Sequence, residues 1–145
     1  EILSLAGMPF VALDFNASVV EKERSKGHPV FYGEVRKPEL LEAAGAKNAQ
    51  IIIVTLNDPE TTEQVVSSLR KTHPDVDIYV RGHSMTECRK LRKVGASGAV
   101  SENVEASLEL AHMALMNVGL DKTKRESIIE RFRRSYYAQI DDEVT

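Results

Sequence analysis

Short apolar runs alternate with amphipathic stretches along the whole chain. Five runs read as strands: residues 9–14 ("PFVALD"), 29–33 ("PVFYG"), 49–56 ("AQIIIVTL"), 76–81 ("VDIYVR") and 97–101 ("SGAVS"). The third is apolar at consecutive positions, the pattern of a strand covered by helices on both faces, which predicts that it is central. Strands alternating with helical patterns predict an α/β fold, a Rossmann-like doubly wound parallel sheet.

The intervening stretches carry helix ends. Asn16 is predicted to cap a helix through Ser25 that Gly27 closes, Pro38 suits a first turn, and Gly45 ends "PELLEAAG". Asp58 and Pro59 start a helix through about Lys71, Ser84 caps one that stops before Gly95, and Asn103 caps one that stops before Gly119.

Each strand therefore ends in a polar turn on one edge of the sheet, where open parallel sheets bind ligands. Asp14 ends the first strand. A carboxylate there accepts two hydrogen bonds from ribose hydroxyls; the plainer reading is an acid at a helix start, favoured by the helix dipole. A ribose-binding acid implies a glycine-rich phosphate loop about twenty residues upstream. The only glycine before Asp14 is Gly7, which reads as a helix stop. Residues 1–6 are accordingly read as the end of a helix whose start, phosphate loop and preceding strand lie outside the chain. The sheet is expected to lack its first strand, and the chain alone to bind nucleotide weakly or not at all. Gly33 and Glu34, in the second turn, place an acid and a flexible backbone where an adenine edge would lie; the plainer reading is a turn that needs glycine for its angles.

Composition narrows the chemistry. At 145 residues with a net charge of −3, the chain lacks the basic excess of a nucleic-acid surface, and no nucleic-acid partner is expected. Cys88 is the only cysteine, which excludes an internal disulfide or a cysteine metal cluster. Its neighbours Arg89 and Lys90 could lower a thiol pKa, but an inert thiol at a helical position is the simpler reading. No stretch approaches the about 18 apolar residues of a membrane helix. His28, His73 and His112 have no partner at metal-ligand spacing, so no metal is assigned.

Residues 104–118 have more than one apolar stripe: Val104, Leu108, Ala111, Leu115 and Val118 on one face, Leu110, Met113 and Ala114 on another. One domain covers one stripe, so a partner subunit is expected on the other. After Gly119, Ile129, Phe132, Tyr136 and Ile140 fall at helical spacing among six basic residues between Lys122 and Arg134, read as a solvated face beside a docking stripe. The acidic run Asp141, Asp142 and Glu143 offsets that charge. Residues 1–119 are thus expected to form the Rossmann-like domain and 120–145 a helical extension.

The string "GHPVFYGEVRKPELLEAAGAKNAQIIIVTLNDPETT" resembles the KTN or RCK regulatory domain of potassium transport systems, and within it the Kef-type efflux branch, where "VFYG-acid", "LLEAAGA", a "D-P-x-T" turn and "LRxxGA" recur in this order. The resemblance covers about residues 2–137. It implies a non-enzymatic module on the cytoplasmic side of a membrane, the soluble part of an integral membrane protein, that gates K+/H+ antiport. It also implies NAD(H) or AMP in the intact parent, a membrane transporter domain in the same polypeptide, and a homodimer through helix 104–118 and the extension. Carried over by position, nucleotide contacts fall to Asp14, Asn16, Gly33, Glu34, Thr55 and Asn57. Arg81, His83 and Glu102 are expected to bind an acidic effector. In glutathione-gated members an arginine precedes the acid after the last strand and an asparagine follows the final "FRR"; Ser101 and Tyr136 stand there in this chain, which argues against glutathione gating.

Two other classes fit the alternation less well. A fragment of an NAD-dependent oxidoreductase would need a base and proton-relay pair near the strand ends. A phosphoacceptor receiver domain would need clustered acids after the first strand and a lysine after the last. Neither pattern is present in the sequence.

Overall fold

The computed structural model describes residues 1–141; Asp142 and Glu143 of the expected acidic tail lie outside the described residues. The chain divides into two compact units, Glu1–Ala49 and a second that begins at Gln50.

In the first unit, α1 (Ile2–Leu5) leads to β1 (Ala12–Asp14), α2 (Ala17–Ser25), β2 (Val30–Tyr32) and α3 (Pro38–Ala43). The two strands pair in parallel, Ala12 opposite Val30 and Asp14 opposite Tyr32. Asn16 caps α2 as predicted: its side-chain oxygen accepts the N–H groups of Ser18 and Val19 at 3.1 and 3.3 Å. Val20 and Val30 are buried between the helix and the strand pair.

The second unit holds β3 (Ile51–Val54), α4 (Pro59–Thr72), β4 (Asp77–Gly82), α5 (Met85–Lys93), β5 (Gly98–Ser101), α6 (Glu102–Asn117) and α7 (Lys122–Asp141). Its three strands are parallel in the order β3-β4-β5. All five predicted strands form; four are shorter than their apolar runs, and β4 has the predicted length shifted by one residue.

The expectation for the third run is corrected. Within its unit β3 is an edge and β4 the centre. Helices cover one face only: Val65, Val66 and Leu69 of α4 and Cys88 and Leu91 of α5 are buried with Val54, Ile78, Val80 and Ala99. Ile51, Ile53, Tyr79 and Val100 point to the other face and are exposed. Consecutive apolar residues report two apolar faces, and in this unit only one is covered.

Two further predictions change in detail. Helix α6 begins at Glu102, and neither Asn103 nor Ser101 gives it a side-chain cap. The Ser101 hydroxyl donates instead to the His83 carbonyl at 3.4 Å, while the Asn103 carbonyl accepts the Ser107 hydroxyl. Gly33 is not among the glycines with positive φ, which are Gly7, Gly27, Gly45, Gly95 and Gly119. Its turn does not need glycine for its backbone angles.

Helix α7 packs on α5 and α6 within the second unit. Its anchor is Ile140, 1% exposed. Around that side chain, Arg92 Nε pairs with Asp141 Oδ1 at 2.9 Å and Arg89 donates to the Gln139 carbonyl at 3.3 Å.

Candidate functional site

The sheet fixes where chemistry can gather, because every parallel strand delivers its last residue to the same edge of its own sheet. In the first unit this edge holds Asp14, Asn16, Gly33 and Glu34. Asp14 Oδ1 accepts the Asn16 N–H at 2.8 Å, and the Asp14 carbonyl accepts the Gly33 N–H at 3.0 Å. The carboxylate is thereby oriented through one oxygen, and Oδ2 has no hydrogen-bond partner among the described residues.

A side chain at Gly33 would meet only Leu40 and Leu13, at 3.4 Å or more. Neither backbone strain nor internal packing therefore demands glycine, and its effect is to leave the space over the strand end open. Glu34 lies beside Arg36, whose Nε donates to it at 2.6 Å and holds its carboxyl below the ordinary range. Phe15, 71% exposed next to Asp14, is an apolar surface at this edge that the motif reading missed.

In the second unit the rim residues form one network. Arg81 Nη2 donates to the carbonyls of Thr55 and Leu56 at 3.1 and 3.4 Å and to Asn57 Oδ1 at 2.5 Å. Its Nε lies 3.6 Å from Glu102 Oε2. His83 Nε2 is 3.0 Å from the Asn57 carbonyl, and Nδ1 is 3.1 Å from Glu102 Oε2. Thr55, Asn57, Arg81, His83 and Glu102 thus come together as predicted. Arg81 Nη2 and the His83 ring face the β3–α4 turn and Glu102, while the buried Arg81 Nε has no hydrogen-bond partner among the described residues.

The Asn57 carbonyl, with the carboxylates of Glu87 and Glu102, draws the His83 pKa above its ordinary value against a smaller opposing effect of burial. Glu87 accepts the His83 N–H at 3.0 Å while its own N–H goes to the Ser84 hydroxyl. The sequence signal for this acid was "SMTE", a capping-box spacing.

A second group was not anticipated. The Ser101 N–H donates to the Tyr137 hydroxyl oxygen at 3.1 Å, the Tyr137 hydroxyl donates to Glu105 Oε1 at 2.8 Å, and Arg133 Nη2 pairs with Glu105 Oε2 at 3.0 Å. Tyr136, the position weighed from the sequence, instead stacks on Phe132 with ring centroids 6.3 Å apart. An open cleft of about 460 Å³ between α6 and α7 is floored by Leu108 and Ile129, with His112 in its wall. It holds none of the predicted ligand residues. Burial pushes the Cys88 thiol up to about 11, which makes it a poor nucleophile. Among the described residues no group of histidine, cysteine and acidic side chains could hold a metal ion, and no helix is long and apolar enough to cross a membrane.

Residues 1–102 match the TrkA-N domain family. The chain is 31% identical to the chloroplastic K(+) efflux antiporter 3 of Arabidopsis thaliana over 97% of its length, and 30% identical to the glutathione-regulated potassium-efflux system protein KefC of Escherichia coli over 92%. It spans 18% and 22% of those proteins. Among solved structures, the Shewanella denitrificans Kef CTD in AMP-bound form superposes with a TM-score of 0.83 at 25% identity, covering 99% of this chain and 87% of that one. The GsuK channel bound to NAD superposes with a TM-score of 0.68 at 27% identity, covering 81% of this chain and 21% of that one.

Proposed function

The chain belongs to the TrkA-N domain family, and from that premise we propose that it is the ligand-sensing regulatory domain of a potassium efflux antiporter, binding an adenine nucleotide without transforming it. The observation that carries this reading is the Asp14 carboxylate. It stands at the carboxyl end of a parallel strand, is oriented through Oδ1 by the Asn16 N–H, and keeps Oδ2 for a ligand hydroxyl. Asp14 binds the ribose, Asn16 fixes the α2 N-terminus beside it, Gly33 leaves room for the base, and Glu34 lies at its edge. Phe15 offers the base an apolar wall. Relatives that are potassium efflux antiporters, an AMP-bound structural neighbour and an NAD-bound one support AMP or NAD(H) as the ligand.

In the second unit, Thr55 and Asn57 are the ligand-facing residues of their own rim, and Arg81, His83 and Glu102 hold the turn that carries them. This differs from direct effector binding by His83, whose two ring nitrogens already face Asn57 and Glu102; of Arg81, Nη2 is engaged while the buried Nε has no hydrogen-bond partner among the described residues. Subunits pair through the exposed face of α6, where Leu110, Met113 and Met116 lie, together with Phe132 of α7. The domain faces the cytoplasm, joined to the membrane part of the transporter. A ligand moves the gate only by binding one dimer arrangement more tightly than another.

The test is potassium flux through the transporter carrying this domain, measured with and without AMP or NADH, alongside calorimetric binding. Nucleotide-dependent flux that Asp14→Asn weakens supports the proposal. Flux indifferent to both nucleotides, with no heat of binding, overturns it.

A further inference from the structure

His83 sits where a single side chain spans two rim elements. Nε2 faces the Asn57 carbonyl at 3.0 Å and Nδ1 faces Glu102 Oε2 at 3.1 Å. Both partners are acceptors only. A neutral imidazole carries one N–H, so in either tautomer one ring nitrogen would present a lone pair to an oxygen. Only the imidazolium donates at both ends.

We infer that His83 is a positioning residue whose protonated ring clamps the β3–α4 turn to the start of α6, so that the order of this turn depends on pH. The inference deepens the proposed function and rests on reading Thr55 and Asn57 as ligand-facing.

The surrounding charges favour the clamp. From α6, Glu102 contacts the ring; from α5, Glu87 contacts the His83 backbone N–H and adds its negative field. From β4, the Arg81 guanidinium shares Glu102 and Asn57 with His83, and its positive charge opposes protonation. From α4, Asp58 accepts the Thr61 N–H at the same turn. Tyr137 of α7 reaches the rim but is engaged by Glu105 and the Ser101 N–H.

The sign follows from the ring's chemistry. A histidine held above its ordinary 6.5 in the folded state contributes fully below that value, and its contribution is lost as pH rises through the folded pKa. Arg81 keeps its bonds to Thr55, Leu56 and Asn57, so the turn loosens while the fold persists.

The experiment reads the chain without nucleotide. The His83 ring is titrated by NMR while hydrogen-exchange rates of the amides at 55–58 are followed, corrected for intrinsic exchange. The expected result is exchange accelerating about fivefold, the order expected for one lost hydrogen bond, with the midpoint of His83 titration. In His83→Gln, whose amide does not titrate, the pH dependence should vanish. In Glu102→Gln the midpoint should move to lower pH, which keeps the test open if the first variant does not fold. Turn amides equally protected on both sides of the titration, the same acceleration in His83→Gln, or an unmoved midpoint in Glu102→Gln would each overturn the clamp. Because nucleotide is absent, a protein that shows the pH-dependent turn but binds no AMP sustains the clamp and counts only against the nucleotide site.

Discussion

The Tyr137 hydroxyl oxygen accepts the backbone N–H of Ser101 at 3.1 Å, joining α7 to the last residue of β5. Ser101 is fully buried, so this N–H has no water to fall back on. Tyr137→Phe removes the acceptor and also the donor to Glu105. The expected loss is about 1–2 kcal/mol of unfolding free energy, read as a lower urea midpoint; an unchanged midpoint would show that the contact contributes nothing.

The same group predicts a pH dependence on both sides of neutrality. Burial pushes the Tyr137 hydroxyl up to about 12 from 10.0, with the Glu105 carboxylate adding to the effect. A raised tyrosine stabilises fully below its unfolded value, and that stability is lost as pH climbs from 10.0 towards 12. Glu105 runs the other way. Burial would raise it, but hydrogen bonds from Arg133 and Tyr137 outweigh burial and leave its carboxyl below the ordinary 4.5. Its contribution is present above that value and disappears as pH falls through the lower folded pKa. Thermal melts should therefore show an alkaline slope that Tyr137→Phe flattens; a slope unaltered by the variant would reject the assignment.

Arg70 is the structural counterpart on the opposite edge of the sheet. Its Nη1 donates to the carbonyls of His73, Pro74 and Val76, Nε to the Gly95 carbonyl at 2.8 Å, and Nη2 to Ser97 Oγ at 3.1 Å. Gly95 has φ 114°, and a Cβ there would come within 2.5 Å of Arg70 Cγ. Arg70→Met is expected to cost about 3 kcal/mol, since several part-buried carbonyls lose one charged donor. Lysine should restore little, because an ammonium lacks the planar fork that reaches several directions at once. Gly95→Ala should destabilise by a similar amount through both strain and overlap. Denaturation of the three variants decides this, and a stable Arg70→Lys protein would contradict it.

What was legible in the sequence follows the range of the interaction that produced it. Asn16, Asp58 and Ser84 cap their helices because a cap needs only the next few residues. The strands were visible as apolar runs. The missed features are long-range. Asn103 looked like a cap, but the helix opens two residues earlier, where the Ser101 hydroxyl turns to His83. Tyr136 was weighed and Tyr137 reaches the rim, because one residue along a helix turns a side chain by about 100°. Arg81 Nη2 and the His83 ring looked available until folding brought Asn57 and Glu102 to them.

The exposed stripe of α6 makes a separate prediction. Leu110, Met113 and Met116 are 53–67% exposed, while Leu108, on the other stripe, is 6% exposed. A charge placed on the exposed stripe should disturb association and leave folding alone. Met113→Glu is expected to convert a dimer to monomer in sedimentation at unchanged melting temperature of the monomeric unit. A wild-type chain that sediments as a monomer at high concentration would refute the proposed interface.

Asp14→Asn tests the nucleotide site with little disturbance of the fold. The amide oxygen still accepts the Asn16 N–H that orients the wild-type carboxylate at 2.8 Å, so β1 and the α2 cap should persist. The substitution removes the negative charge and replaces one acceptor oxygen with a donor nitrogen. Bonds to a charged acceptor are worth about 1.5–3 kcal/mol. AMP or NADH affinity in the transporter should therefore fall about tenfold or more, with circular dichroism unchanged. Phe15→Ala should weaken both ligands by a smaller factor, because it removes apolar area and no directed bond. If Asp14→Asn binds as tightly as wild type, the carboxylate serves only the helix start, and the ligand-sensing reading loses the residue on which it stands.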